Sequence, residues 1–134
     1  MHSQNLKPEQ LVSEYYTALY SGDIQAIKAI TTKESFYMTL ESFGLRVAMK
    51  DKSFKQALKK MEDDPYALVE VTHKLSRDLK SREKNPRIEI MSVHSNGTKR
   101  QTVHFTEDGK AKVMYFSLLE GAWKIDYYAG RKVA

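Results

Sequence analysis

Residues 87–128 read RIEIMSVHSNGTKRQTVHFTEDGKAKVMYFSLLEGAWKIDYY and predict four consecutive antiparallel strands. Three dipeptides interrupt the apolar alternation: Asn96-Gly97, Asp108-Gly109 and Glu120-Gly121. Two-residue hairpin loops need backbone angles with positive φ, which glycine adopts at little cost. The segment therefore predicts a meander in which each strand pairs with the next one along the chain.

The length of a hairpin loop fixes the strand register, and the register fixes which side chains share a face. Three two-residue turns would place Val103 opposite both Ile90 and Met114. One face, here called the inner face, is then apolar and needs a covering layer: Ile88, Ile90, Val103, Phe105, Met114, Phe116, Leu118, Trp123, Ile125 and Tyr127. The outer face is mixed in polarity and suggests a partner surface: Glu89, Met91, Val93, Thr102, His104, Val113, Tyr115, Ser117, Lys124, Asp126 and Tyr128.

The covering layer is predicted upstream of the strands, where apolar residues recur at helical spacing. Gly22 ends the first helix, Asp23 caps a short second one, and Thr31 with Glu34 forms a capping box for a third. Gly44 is a candidate for a bend or break, since glycine weakens a helix by about 1 kcal/mol relative to alanine. Asp64-Pro65 begins a long helix that continues to about residue 84.

Helices over about residues 8–84 and a sheet over about 87–129 predict an α+β fold within a single domain, residues 1–134. Segregation of helices from strands argues against a parallel sheet, which would need the two to alternate. A cone-shaped packing of the N-terminal helices on a curved four-stranded antiparallel meander is the expected architecture.

Composition is that of a globular protein, with 41% hydrophobic and 29% charged residues. No cysteine is present, which excludes disulfides and thiolate metal sites, and no apolar run is long enough to span a membrane. The net charge of +5 is interleaved with acids, as in Lys74–Lys84, which argues against nucleic-acid binding. The segment Met1–Lys7 is polar and unlike a signal peptide, so we expect a soluble protein, cytoplasmic by default or exported if a leader was removed.

Two stretches resemble the nuclear transport factor 2-like superfamily. Residues 8–27, PEQLVSEYYTALYSGDIQAI, resemble its first two helices, and Gly121-Ala-Trp-Lys-Ile-Asp126 resembles its last strand. The nearest group is small bacterial domains, often of unknown function and sometimes exported. The resemblance implies a cone with a pocket between helices and sheet, and frequently a dimer through the sheet. The helical middle, residues 33–84, departs from the family pattern, in which a short strand often follows the first helices.

A pocket inside such a cone would hold a small apolar or aromatic ligand and no cofactor. The residues expected to line it are Tyr15, Tyr16, Leu19, Phe36, Leu40, His73, Met114, Phe116, Trp123 and Tyr127. The homodimer is expected to form through the outer sheet face, at Met91, Val93, His104, Tyr115 and Tyr128. A non-catalytic domain that binds a small ligand or a partner is therefore the leading hypothesis.

Two alternatives come from other classes of function. Ketosteroid isomerases, which belong to the resembled superfamily, use a tyrosine and carboxylates in an apolar site. Here Tyr15 or Tyr16 would act with His73, but we find no carboxylate on the inner face, which argues against an enzyme. The other alternative is an accessory domain whose basic helix, Lys74–Arg87, docks an acidic partner or a polyanion.

The remaining histidines give no metal motif, because none of the four lies at ligand spacing from another. His104 is expected opposite Glu89 on the outer face, as an exposed cross-strand pair. His94 is expected on the inner side, at the rim near the first turn. No metal site is predicted.

Overall fold

The computed structural model describes residues 6–129, so most of the polar segment Met1–Lys7 lies outside the described residues. Five helices precede four strands. The helices are α1 (Pro8–Ser21), α2 (Ile24–Ile30), α3 (Lys33–Ala48), α4 (Lys52–Lys60) and α5 (Pro65–Ser81). The strands are β1 (Ile88–Ser95), β2 (Arg100–Glu107), β3 (Lys110–Leu119) and β4 (Ala122–Ile125), and they form one antiparallel sheet in the order β1-β2-β3-β4. The α+β prediction, with helices first and a four-stranded meander second, is confirmed.

Side-chain caps define most helix starts. The carboxylates of Asp23, Asp51 and Asp64 accept backbone N–H groups at the starts of α2, α4 and α5. The expected capping box at Thr31 is wrong: Thr32 caps α3, because Thr31 instead forms a bridge with Ile125 at the β4 edge. No break occurs at Gly44. It is buried within α3, where the absence of a side chain leaves room for the Phe54 ring.

Two of the three predicted turns have the predicted length. Asp108-Gly109 and Glu120-Gly121 are two-residue loops with positive φ at both positions. They give the expected pairs of Val103 with Met114 and of Phe116 with Ile125. The register across β2, β3 and β4 was therefore readable from the turn residues.

The first hairpin differs from the prediction. Its connection is four residues, 96–99, because Asn96 does not adopt positive φ and its side-chain amide donates to the Thr102 hydroxyl (2.9 Å). In addition, Met91 forms a β-bulge, which shifts the register between Ile90 and Ser92. Ile90 therefore pairs with Phe105, not with Val103.

The bulge moves the second half of β1 to the other face. Val93 pairs with Val103 and lies on the inner face, although it was expected on the outer one. His94 pairs with Thr102 and lies on the outer face, although it was expected on the inner side. His104 faces Ser92 rather than Glu89, so the expected pair of His104 with Glu89 is wrong as well.

Helix α1 lies across the inner face of the sheet and contacts β1, β2 and β4. Its buried side chains join those of α3, α5 and the inner face in one hydrophobic core. Burial of this shared core is the main force that holds helices and sheet together.

Candidate functional site

The space between the helices and the sheet, where a ligand pocket was expected, is occupied by core side chains. Most of the ten expected lining residues pack there: Tyr15, Leu19, Phe36, Leu40, Met114 and Phe116 are buried, and Tyr16, Trp123 and Tyr127 are partly buried against them. His73 is exposed on the solvent side of α5, so its expected place in the pocket is wrong. Buried residues of α5 such as Val71 and Leu75 recur every four positions on one face of the helix, and His73 lies on the opposite face.

A chain of buried hydroxyl groups crosses this core. The Thr39 hydroxyl donates to the backbone carbonyl of Ser35 (2.9 Å), so the hydroxyl of Tyr15 must donate to Thr39 (3.2 Å). Burial raises the pKa of Tyr15, and burial together with the Tyr15 hydroxyl raises that of Tyr127. Both tyrosines are therefore neutral at physiological pH and serve to satisfy one another inside the core.

An open cleft lies beside this core, between the exposed side of α1 and the segment that joins α5 to β1. Its volume is about 400 Å³, within the range of small-molecule sites. Two tyrosine rings form one wall, and hydroxyl, amide and ammonium groups surround them. The lining residues are Ser13, Tyr16, Thr17, Tyr20, Ser21, Lys84, Asn85, Pro86 and Ile88.

Next to the cleft, the hydroxyl of Tyr16 donates to the carboxylate of Glu107 (3.0 Å). Glu107 lies on β2 two residues beyond Phe105, on the inner face, so the expectation that this face has no carboxylate is wrong. Burial and the hydrogen bond to Glu107 raise the pKa of Tyr16 far above its usual value. Lys112 approaches the same carboxylate at 4.0 Å.

Two further groups in the cleft were missed by sequence reasoning. Burial and the nearby Glu107 carboxylate raise the pKa of Tyr20, which keeps its hydroxyl as a neutral donor. Lys84 has no ion pair within residues 6–129, so its charge is available to a ligand. Tyr20 follows Tyr16 by one helical turn, a spacing that could have marked the pair as one face of α1.

The outer sheet face is only partly open. Thr102, Ser117 and Asp126 are buried there, and the Ser117 hydroxyl donates to the Asp126 carboxylate (2.8 Å). Of the expected dimer residues, Met91 is 66% exposed and His104 is exposed, whereas Tyr115 and Tyr128 are half-buried. The ring of His94 packs edge-on against that of His104, with 5.4 Å between their centroids.

Three of the six basic residues in segment 74–87 form ion pairs with neighbouring acids. Lys74 binds Asp51 (2.8 Å) and Glu70 (2.9 Å), and Arg82 binds Asp78 (2.8 Å). These contacts reduce the net charge that a polyanion would meet, so the structure gives no support to the accessory-domain alternative.

No group of three or more His, Asp or Glu side chains in the described part of the chain is arranged to hold a metal ion. None of the helices between residues 6 and 129 is long and apolar enough to cross a membrane.

Comparison with known protein families gives one match. The model described as Domain of unknown function (DUF4829) matches residues 9–129, from the first turn of α1 to the residues after β4. The chain belongs to this family. The match includes every residue of the α1 cleft and of the sheet, so both are parts of the DUF4829 domain. Neither the curated proteins nor the solved structures contain a match to the chain.

Proposed function

We propose that this DUF4829 domain is a single, non-catalytic binding domain that takes a small aromatic molecule in the α1 cleft. The observation that carries the proposal is the cleft itself, in which the tyrosine pair stands beside an unpaired lysine. Aromatic rings offer a stacking surface, and convergent polar groups fix the orientation of a ligand. The resemblance to the nuclear transport factor 2-like cone is part of the same proposal, with the ligand displaced from the filled interior to the side of α1.

The chemistry of the cleft favours a ligand with acceptor oxygens. Ser13, Thr17 and Tyr20 bring hydroxyl donors, and the Lys84 ammonium favours a negative charge. Pro86 and Ile88 add apolar surface for the body of the ligand. An aromatic carboxylate combines these properties.

The test uses ¹H–¹⁵N NMR spectra of the full chain with 4-hydroxybenzoate and, as the neutral comparison, 4-hydroxybenzyl alcohol. We expect shifts at α1 and at residues 84–88, with millimolar affinity, since a fragment of this size gains about 4 kcal/mol. Lys84→Met should remove the preference for the acid, and Tyr20→Ala should remove binding of both probes. The matched control is Tyr66→Ala, because Tyr66 is 87% exposed on α5 and lies outside the cleft. Equal shifts spread over the whole surface, unchanged by Tyr20→Ala, would refute the site.

A small-molecule isomerase or dehydratase is the second candidate, and the contact between Tyr16 and Glu107 favours it. A tyrosine from the first helix and a carboxylate from the inner face are the two groups that such chemistry requires. Two contacts nonetheless favour binding over catalysis. The Tyr16 hydroxyl already donates its proton to Glu107, and Lys112 lies near the same carboxylate, so neither group is free to act on a substrate. If the chain is an enzyme of this type, the wild type should turn over enone or β-hydroxyketone substrates. Both Tyr16→Phe and Glu107→Gln should abolish that turnover. The absence of any turnover in the folded wild type across such a panel would exclude it.

Self-association belongs to the proposal as well. The sheet has two surfaces for a second copy: the exposed part of its outer face, near Met91, His104 and Val113, and the free edge of β1. For the outer face, Tyr115→Glu should produce a monomer, which sedimentation velocity would detect.

A further inference from the structure

Strand β1 is a free edge of the sheet. It pairs with β2 on one side, and no residue between 6 and 129 pairs with its other side. Open edges recruit other strands, and proteins often block them with lysine or proline. The eight residues of β1 contain neither, and Ile90, Met91 and Val93 are all at least 39% exposed.

The backbone groups available at this edge follow from the observed hydrogen bonds. Asp108 N–H donates to the carbonyl of Arg87 (2.9 Å), and Asn96 N–H donates to that of Arg100 (2.8 Å). In an antiparallel pair, the backbone groups of successive residues point alternately toward and away from the partner strand. Residues 87 and 96, whose groups point toward β2, therefore set the alternation from the two ends of β1. The backbone N–H and C=O groups that point away from β2 are consequently those of Ile88, Ile90, Val93 and Ser95.

The bulge at Met91 gives β1 a symmetric pattern of faces. Before it, Glu89 lies on the outer face and Ile90 on the inner face. After it, the order is reversed, with Val93 on the inner face and His94 on the outer face. Residues at equal distances from the centre of the strand, between Met91 and Ser92, therefore lie on the same face. Their backbone N–H and C=O groups also point to the same side of the strand.

We propose that two copies of this chain pair their β1 strands antiparallel about a twofold axis between Met91 and Ser92. This inference rests on the proposed self-association and names its interface, independently of the ligand cleft. Ile90 then faces Val93 of the second copy in a hydrogen-bonded pair, and Ile88 faces Ser95. A twofold axis elsewhere along the strand would cross the two bulges at different points and bring mismatched faces together.

The side chains in this register are complementary. Ile90 and Val93, about 40% exposed in the single chain, cover one another on the inner face. On the outer face the Glu89 carboxylate lies opposite His94 of the second copy. Glu89 keeps Arg87 as its neighbour (3.0 Å), and His94 keeps Ser92 and His104.

A charge exchange tests the register with sedimentation velocity and native mass spectrometry of the full chain. A single strand buries less than the ~1,200 Å² of a standard interface, so we expect a weak dimer that forms at high protein concentration. His94→Glu sets two carboxylates opposite one another, and Glu89→Lys removes the carboxylate that faces the His94 imidazole. Each should weaken the dimer, His94→Glu roughly tenfold or more. The double variant sets a lysine opposite a glutamate and should recover the association.

A second pair of variants tests the edge without relying on charge pairs. Val93→Lys places a charge at the open edge, on the inner face, and should abolish the dimer while thermal unfolding shows a folded chain. Val69→Lys is the control, because Val69 is 65% exposed on α5, away from the sheet.

Three outcomes would overturn the proposal: a wild-type monomer at about 0.5 mM, a dimer unaffected by Val93→Lys, or single charge variants that the double variant does not rescue. A dimer lost in Tyr115→Glu but kept in Val93→Lys would assign the interface to the outer face. Titration of each variant with 4-hydroxybenzoate separates this question from ligand binding, since edge variants should leave the shifts at α1 unchanged.

Discussion

Substitution of Gly22 by alanine should be among the most damaging single changes in this chain. Gly22 ends α1 in the left-handed conformation (φ +71°), where Asp23 N–H donates back to the carbonyl of Ala18 (2.9 Å). Helix α5 lies directly against this turn. A β-carbon at position 22 would lie 2.7 Å from the backbone oxygen of Ser76 and 2.8 Å from Cγ of Lys80.

Three costs add up in Gly22→Ala. Alanine in the left-handed region costs about 1–2 kcal/mol. The contact with the Ser76 oxygen involves backbone in the middle of a helix, which cannot yield as a flexible side chain does. Helices α1 and α5 must therefore separate, at a cost of about 1–2 kcal/mol, in the lower part of the range for overpacking. That movement strains the hydrogen bond from the Ser76 hydroxyl to the Gly22 carbonyl (2.6 Å), worth about 1 kcal/mol. We expect a total loss of about 3–5 kcal/mol, a large part of the 5–15 kcal/mol that stabilises a typical domain.

Equilibrium unfolding in urea measures this loss, and Gly109→Ala is the matched control. Gly109 has a similar backbone (φ +84°), but nothing lies within 4 Å of an added β-carbon there. Its substitution should therefore cost only the backbone part, about 1–2 kcal/mol. Equal losses in the two variants would show that the approach of α5 to Gly22 does not contribute, and would refute the reasoning.

Three further predictions concern buried and paired polar groups. Tyr15→Phe should destabilise the fold by about 1–3 kcal/mol in urea unfolding, because it interrupts the hydroxyl chain to Thr39; a loss below about 0.5 kcal/mol would contradict that chain. The raised pKa values of Tyr15 and Tyr127 mean that the folded chain keeps protons that the unfolded chain releases near the ordinary value of 10.0. Stability should therefore be complete below about pH 10 and fall as the pH rises above it, as urea unfolding between about pH 8 and pH 11 would reveal. Lys74→Met should raise the pKa of Asp51, now held below its usual value by the Lys74 ammonium, and a carboxyl ¹³C NMR titration that shows no change would disprove the contact.

The sequence predicted the class of fold because its strongest signals are local. Asp108-Gly109 and Glu120-Gly121 specify two-residue turns, and those turns alone set the register of β2, β3 and β4. The first hairpin was mispredicted because Asn96-Gly97 has two uses. The asparagine side chain can bond to Thr102 in a longer loop as readily as its backbone can adopt positive φ.

The contact between Tyr16 and Glu107 was within reach of the sequence, although the two residues lie far apart along the chain. The Asp108-Gly109 turn places Glu107 on the same face as Val103 and Phe105, and α1 must cover that face. Glu107 is the last residue of β2, next to the Asp108-Gly109 turn. A residue in this position is easily assigned to the loop, so the face on which its side chain lies is not considered. The cleft itself could not be read in this way, since its shape depends on how the 82–87 segment passes α1.

The bulge at Met91 changes the predicted sheet more than the other differences do, because a single extra residue reverses the faces of half of β1. Nothing in the run from Ile88 to Ser95 marks it: without the bulge, strict alternation would place Val93 beside Met91 on the outer face. With it, Val93 joins Ile90 on the inner face, and both lie at an edge that α1 only partly covers. A bulge in an edge strand usually discourages pairing with other strands. Here the same bulge makes the strand symmetric about its own centre. A second copy of this chain, paired as proposed above, would bring its own bulge into register with this one.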